Sequence, residues 1–316
     1  MKKVISLLLA LSLVLGVCAF ASAEDKTYNV GILQLIQHPA LDAATQGFKD
    51  ALTEKLGDKV SFDEGNASGD ANNCAQIAGQ LVSKQVDLIM ANATPAMLAC
   101  ATATADIPVL ATSITNYESA MEIELTEDGA TGLNVSGTSD LAPLDGQAAM
   151  IQELFPEAKT VGLLYCNAEP NSIFQIKTIE GYLTEMGMEC KRYGFNDSND
   201  LASVAQTATE CDVIYIPTDN TAAGNTEAIA NVVIPAKTPV VAGEEGICAG
   251  CGVATLTISY YDIGYKTGEM AYDILVNGAD IAAMPIAYAP QFTKKYNATN
   301  AAELEVVIPA DYLPIE

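Results

Sequence analysis

The sequence predicts an α/β protein of two doubly wound parallel-sheet lobes joined by a three-segment hinge. Three observations predict it. Short, nearly unbroken apolar runs at 29–35, 88–91 and 109–111 alternate with segments of helical period, the pattern of parallel strands covered on both faces. The chain also repeats itself: "NVGILQLIQHPALDAATQGFKDAL" from Asn29 is echoed by "TVGLLYCNAEPNSIFQIKTIEGYL" from Thr160, and both Val30 to Val161 and Pro108 to Pro239 are offsets of 131. Finally, extended segments stand between the halves and after the second one.

In chain order, Lys2 and Lys3 precede an apolar run at 4–20 and then Ala21-Ser22-Ala23. That is the charged, apolar and small-residue order of a secretory signal peptide cut after Ala23. Lipid attachment at Cys18 is the rival reading, and Val17 before it is a poor fit. In the first half, Leu41, Ala44, Phe48, Ala51, Leu52 and Leu56 fall on one helical face; Ile173, Ile176, Ile179, Leu183 and Met186 do so in the second. "DLIMANATPAM" from Asp87 matches "DVIYIPTDNTAA" from Asp212 in pattern, and "DIPVLATSI" matches "KTPVVAGEE". The segment at 130–140, with Gly132 and Gly137, reads as a hinge, and "VATLTISY" and "MPIAYAPQF" are two further crossings. Lobe I is then 24–136 plus 259–286, and lobe II 137–258 plus 287–316, after a signal peptide at 1–23.

Removing the leader takes two lysines and no acid, so the formal charge goes from −25 to −27. Such a surface repels phosphate backbones and anionic lipids, so nucleic acid is not an expected partner. The acidic stretch at 118–128 reads as a solvated segment, with docking to a partner as the alternative. Seven cysteines remain after the leader, an odd number that cannot all pair within one chain. Cys248-Ala-Gly-Cys251 is the only suggestive spacing, in what reads as a Gly-rich turn. A local disulfide and two free thiols both fit it. With one histidine in the chain, no zinc site is expected.

Open parallel α/β sheets bind ligands beyond the carboxyl ends of their strands. That rule nominates His38, Thr94, Thr112 and Ser113 in lobe I, and Asn171, Ser172, Asp219, Asn220 and Glu244 in lobe II, with Glu169 and Thr218 at the same strand ends. The repeat sets Thr94 opposite Asp219 and Ser113 opposite Glu244. One lip therefore offers hydroxyls and helix N-termini, which suit a carboxylate; the other offers carboxylates, which suit an ammonium. The pairing fits a zwitterion. Each residue also has a structural reading: Asp219 and Thr94 as helix caps, Glu244 as a turn residue, His38-Pro39 as a helix entry. Arg192, the lone arginine, falls away from this edge.

Several of these segments carry a resemblance. "HPALDAATQGF", "NATPAM", "IPVLATSIT", "NVSGTSD", "NSIFQIKTIEGYLTEMG", "IYIPTDNTAAG", "TPVVAGEEG" and "ISYYDIGYKTGEMA" occur in order between about 30 and 311. The chain resembles the substrate-binding proteins of ABC transporters assigned to tryptophan and tyrosine import. The resemblance implies a type I periplasmic-binding fold that closes on a small α-amino acid, an aromatic one. Thr94, Ser113, Asn171, Ser172, Asp219, Asn220 and Glu244 would line the cleft, and ABC permease subunits would be the partners of an exported monomer. "GEEGICAGCGVATL" departs from the expected polar turn at Cys248 and Cys251.

A sugar, nucleoside or peptide-like ligand is the alternative. The absence of tryptophan and the single arginine count against sugars, although Tyr117, Tyr165 and Tyr260 could stack a flat ligand. An enzyme is not expected. The chain holds no G-x-S-x-G, H-E-x-x-H, G-x-x-x-x-G-K or early G-x-G-x-x-G, and no cofactor motif. Asp219 with Glu244 could form an acid/base pair, but no aromatic platform accompanies them.

Overall fold

The computed structural model describes residues 26–315. The leader, its cleavage point and Cys18 lie outside the described residues. Among the described residues thirteen strands form two sheets. The first sheet contains β1 (Tyr28–Gln34), β2 (Val60–Asn66), β3 (Leu88–Asn92), β4 (Val109–Ile114), β5 (Val135–Ser139) and, from far along the chain, β11 (Ala287–Tyr288). The second contains β6 (Thr160–Cys166), β7 (Glu189–Phe195), β8 (Val213–Ile216), β9 (Val240–Ala242), β10 (Ala254–Thr257), β12 (Thr293–Tyr296) and β13 (Leu313–Pro314). The orders are β11-β5-β4-β3-β1-β2 and β13-β12-β10-β9-β8-β6-β7. Pairing is parallel throughout, except that β12 runs antiparallel to β10.

The helices are α1 (Pro39–Leu56), α2 (Ala71–Ser83), α3 (Thr94–Ala103), α4 (Tyr117–Met121), α5 (Leu144–Leu154), α6 (Pro170–Glu185), α7 (Ser198–Ala208), α8 (Asn220–Ala223), α9 (Thr226–Val233), α10 (Glu245–Cys251), α11 (Tyr260–Leu275) and α12 (Ala298–Glu303). They cover both faces of each sheet, which is why the strands are apolar on both sides. On one face of β1, Val30 and Ile32 pack with Phe48 and Leu52 of α1 and Met270 of α11. On the other, Leu33 packs with Leu81 of α2 and Met97 of α3. Lobe II repeats this: Val161 and Leu163 face Ile151 and Ile176, while Leu164 and Cys166 face Leu201 and Ile229. Burying one such side chain fully contributes about 1.5–3 kcal/mol.

The chain crosses between sheets three times. Because β5 and β11 lie wholly in the first sheet, the first and third crossings follow Ser139 and Tyr288, a few residues beyond the boundaries at 136 and 286. The second falls between β10 and α11. The face of α6 also differs from the periodic reading. Ile173 is exposed, because the first turn of that helix turns Asn171, Ser172 and Gln175 inward, toward Thr218 and Asp219.

A second correction concerns Cys248 and Cys251. They lie in helix α10 rather than in a polar turn, fully buried and unpaired against Ile229, Val233 and Ala242. Burial pushes both thiols up, away from the reactive thiolate.

Helices α1 and α11 approach so closely that glycine is required at the contact. A Cβ on Gly264 would stand 2.0 Å from the Ala44 carbonyl oxygen, and one on Gly47 2.2 Å from that of Tyr261. Gly264→Ala therefore forces two backbones apart and is expected to cost about 1–3 kcal/mol in denaturant unfolding. Gly79→Ala in α2 meets nothing within 4 Å and is expected to stabilise by about 0.5–1 kcal/mol. Equal effects would show that the α1–α11 contact is loose.

Candidate functional site

Parallel strands deliver all their carboxyl ends to one edge, and the two lobes turn these edges toward each other. On the lobe I lip the strand order places Asp140 after β5, Ser113 in β4, Thr94 after β3 and His38 after β1. Two backbone features aim the lip. The β4–β5 register shifts between Ala111 and Ile114, and Ser113 has φ 58° there. Ala93, just before α3, has φ 85° and ψ 155°. Non-glycine residues in such conformations cost on the order of 1–3 kcal/mol each. The hydroxyls of Ser113 and Thr94 are buried and have no hydrogen-bond partner.

The lobe II lip is a connected polar network. Asp219 is the N-cap of α8, with Oδ1 accepting from Ala222 N at 2.8 Å. Its Oδ2 accepts from Cys166 N at 2.6 Å and from Ser172 Oγ at 2.8 Å. Glu244 caps α10 by accepting from Gly246 N at 2.6 Å and from Ile247 N. Glu169 accepts from Asn220 N and Nδ2, Asn171 Nδ2, and Thr221 N and Oγ1.

Between the lips lies a narrow cavity of about 10 Å³, room for about one water. It is lined by Ser113, Thr115, Asp140, Glu244 and Tyr260 toward the hinge, and by His38, Leu41, Asn171, Asp219, Asn220 and Ala223 beyond them, with Thr218 between. Three side-chain hydrogen bonds join the lobes across it: His38 Nε2 to Asn220 Oδ1 at 3.3 Å, Gln175 Nε2 to Thr115 Oγ1 at 3.2 Å, and Thr115 Oγ1 to Thr218 Oγ1 at 3.4 Å.

The cavity is electrostatically one-sided. Asp140, Asp219 and Glu244 are all buried, and among the described residues no lysine or arginine lines it. Arg192 pairs with Glu180 on the outside of lobe II. Burial disfavours the charged form and pushes Asp140 up to about 6 and Glu244 up to about 7, against the hydrogen bonds that each accepts. Asp219 is pushed up by burial and by neighbouring Glu169. Burial lowers His38, keeping it neutral. Asp140 and Glu244 have the most spare capacity: each carboxylate accepts two hydrogen bonds, those of Asp140 coming from Thr115 Oγ1 at 3.3 Å and Tyr260 OH at 2.9 Å.

Of the nominated residues, His38, Ser113, Asn171, Asp219, Asn220 and Glu244 line the cavity. Three stand behind it. Thr112 accepts from Thr138 Oγ1 inside lobe I. Ser172 orients Asp219. Thr94 opens α3 but does not cap it, since Ala93 holds the cap position. The residues sequence reasoning missed are Asp140, Thr115, Leu41 and Ala223, together with Gln175 behind them; Thr218 and Glu169 stood at the strand ends the rule reached. Applying the strand-end rule to β5 would have found Asp140. Of the three tyrosines considered for stacking, Tyr260 lines the cavity, whereas Tyr117 donates to Ala111 O and Thr138 O within lobe I. Tyr165 is half-buried on β6 and outside the cavity.

The family model described as ABC transporter substrate binding protein matches residues 29–314. A tyrosine-binding protein of Clostridioides difficile (strain R20291) is 32% identical over 330 residues, covering 99% of this chain and 91% of that protein. A crystal structure from Streptococcus pneumonia, of an ABC domain in complex with L-Trp, superposes with a TM-score of 0.86 at 31% identity, covering 90% of this chain and 97% of the other. A ligand-free, open structure of a substrate-binding protein with adhesive properties from Clostridium difficile gives only 0.69 at 32% identity, covering 92% and 99%. In this chain three side-chain hydrogen bonds across the cavity hold the lobes in contact. The architecture is the type I periplasmic-binding fold. With the family matched along nearly its whole described length, the chain belongs to the ABC transporter substrate-binding proteins.

Proposed function

We propose that this protein captures an aromatic α-amino acid outside the cytoplasm, in the cleft between its lobes, and presents it to the permease of an ABC importer. It acts as a monomer that binds and does not turn its ligand over. The lysine-flanked apolar segment at the N-terminus supports export. The observation that carries the reading is the set of buried carboxylates facing the cavity with no protein cation to balance them. An ammonium supplies that charge. Asp140 is its first contact, with Glu244 and Asp219 contributing field. The ligand carboxylate goes to the other end of the head group, onto the unpartnered hydroxyl of Ser113, with the start of α3 at Thr94 contributing field from behind the cavity. The aromatic character follows the L-Trp complex and the tyrosine-binding relative. Contacts from both lobes coexist only in the closed arrangement, so ligand shifts the population toward it.

A thermal-shift screen of the amino acids, sugars and nucleosides tests this, because a ligand of the native state raises the melting temperature by mass action. L-tyrosine or L-tryptophan is expected to raise it; a rise with a sugar or nucleoside and with no amino acid sinks the reading. Asp140→Asn is expected to weaken amino-acid binding at least tenfold, about 1.4 kcal/mol or more, by calorimetry. Asp219→Asn acts on the fold as well. It replaces an acceptor oxygen by a donor facing Cys166 N or Ala222 N, and about 1–3 kcal/mol of stability is expected to go.

The carboxylates also set a pH dependence. Asp140 and Glu244 rise from near 4 unfolded to about 6 and about 7 folded. Folding therefore takes up protons, and their contribution to stability is full below about pH 4 and is lost as pH rises through 6 and 7. A bound ammonium favours the ionised forms and opposes that loss. The melting-temperature rise caused by amino acid should be larger at pH 8 than at pH 5, and Asp140→Asn should narrow the difference. An equal rise at both pH values would remove the carboxylates from the ammonium site.

A further inference from the structure

The cavity has two unlike ends. Toward the hinge are Asp140, Glu244 and Tyr260; toward β1 the apolar Leu41 and Ala223 flank the His38–Asn220 contact. Asn220 fixes the state of that histidine. Its Nδ2 donates to Glu169 Oε2 at 2.7 Å, so its Oδ1 is the atom that meets His38 Nε2 at 3.3 Å. A carbonyl oxygen only accepts, so Nε2 carries the proton. In neutral imidazole Nδ1 is then a bare acceptor, and here it is buried without any partner. A buried acceptor left unmade costs free energy, so a ligand that supplies a donor there gains over one that does not.

The strand order fixes where this acceptor lies relative to the head group. His38 follows β1, and Ser113 belongs to β4, two strands away. At the ordinary interstrand spacing that is about 10 Å, a span for an aromatic side chain and its tip rather than for the head group itself.

Resting on the amino-acid reading above, we infer that His38 is a specificity residue: its Nδ1 accepts a hydrogen bond from the tip of an aromatic side chain, so the site selects ligands with a phenolic O–H or indole N–H over those ending in a bare ring. Leu41 and Ala223 contact the apolar body of the side chain, and the Nε2 bond to Asn220 holds the imidazole in the accepting tautomer. A site built to hydrogen-bond a polar tip discriminates more strongly against its absence than an apolar pocket discriminates by size.

Calorimetric titration of the tag-free protein with L-tyrosine, L-tryptophan and L-phenylalanine tests this. Wild type should bind tyrosine or tryptophan at least tenfold more tightly than phenylalanine. His38→Leu should erase that ratio, weakening the polar-tipped ligands at least tenfold more than phenylalanine. A second readout needs no variant. His38 is the only histidine in the chain, so its imidazole nitrogen resonances are unambiguous, and the preferred ligand should perturb Nδ1 while Nε2 stays protonated. Phenylalanine binding as tightly as both others overturns the inference and leaves the amino-acid reading standing. Equal weakening of all three ligands by His38→Leu also overturns it, reducing His38 to a lobe-closing contact. If none of the three binds, both readings fall.

Discussion

The structure turns on one constraint: negative charge is buried between two lobes, and no lysine or arginine lines the space to neutralise it. Removing a carboxylate from water is costly, and a protein can meet that cost by pairing the charge, by hydrogen-bonding it, or by keeping it protonated. The second and third appear here in different proportion. Asp219 and Glu244 are held by backbone N–H groups at helix starts. Glu169 is covered by amides and a hydroxyl. Asp140 has two hydroxyl donors and caps no helix, so it leans on something external.

The same carboxylates build the lobe that presents them. Asp219 starts α8 and ties it to the end of β6 through Cys166 N; Glu244 starts α10 directly after β9. Capping and ligand-facing roles are therefore not alternatives at these positions, as the sequence made them seem. A helix start contributes a favourable dipole to the capping carboxylate, which keeps part of its charge available beside the cavity. Lobe I does the converse. Its strained backbone at Ala93 and Ser113 leaves hydroxyls unpaired at a helix start. Lobe II brings capped carboxylates, and lobe I brings the unengaged hydroxyls of Ser113 and Thr94 together with Asp140.

Much of this was legible in the sequence. The internal repeat and the doubly apolar strands set the architecture, and the strand-end rule reached His38, Ser113, Asn171, Asp219, Asn220 and Glu244 without the structure. What it missed has a common physical cause. Asp140 sits at a crossing between lobes, where the repeat has no second copy to align, and the extended segment around it read as hinge. Gln175 matters through its contact with Thr218, 43 residues away, which no local pattern encodes. Cys248 and Cys251 misled because Gly246, Gly250 and Gly252 surround them, yet the Glu244 cap and the apolar neighbours Ile229 and Val233 fold the segment into helix. Gly250 even packs where a Cβ would strike Thr226 at 2.1 Å, so that glycine reports close packing rather than a turn.

Closure follows from the same balance. The hydrogen bonds that join the lobes across the cavity are few, neutral and long, between 3.2 and 3.4 Å. A typical neutral bond contributes a net of only about 0.5–1.5 kcal/mol, and three such bonds must be set against the burial of facing carboxylates. The lobes' own contacts are therefore a weak clamp. A ligand cation lying between Asp140 and the lobe II carboxylates converts the unfavourable part of that balance into attraction at the moment the lips meet. Binding energy then appears mainly in the closed state, which is the condition for a ligand to drive closure rather than merely accompany it.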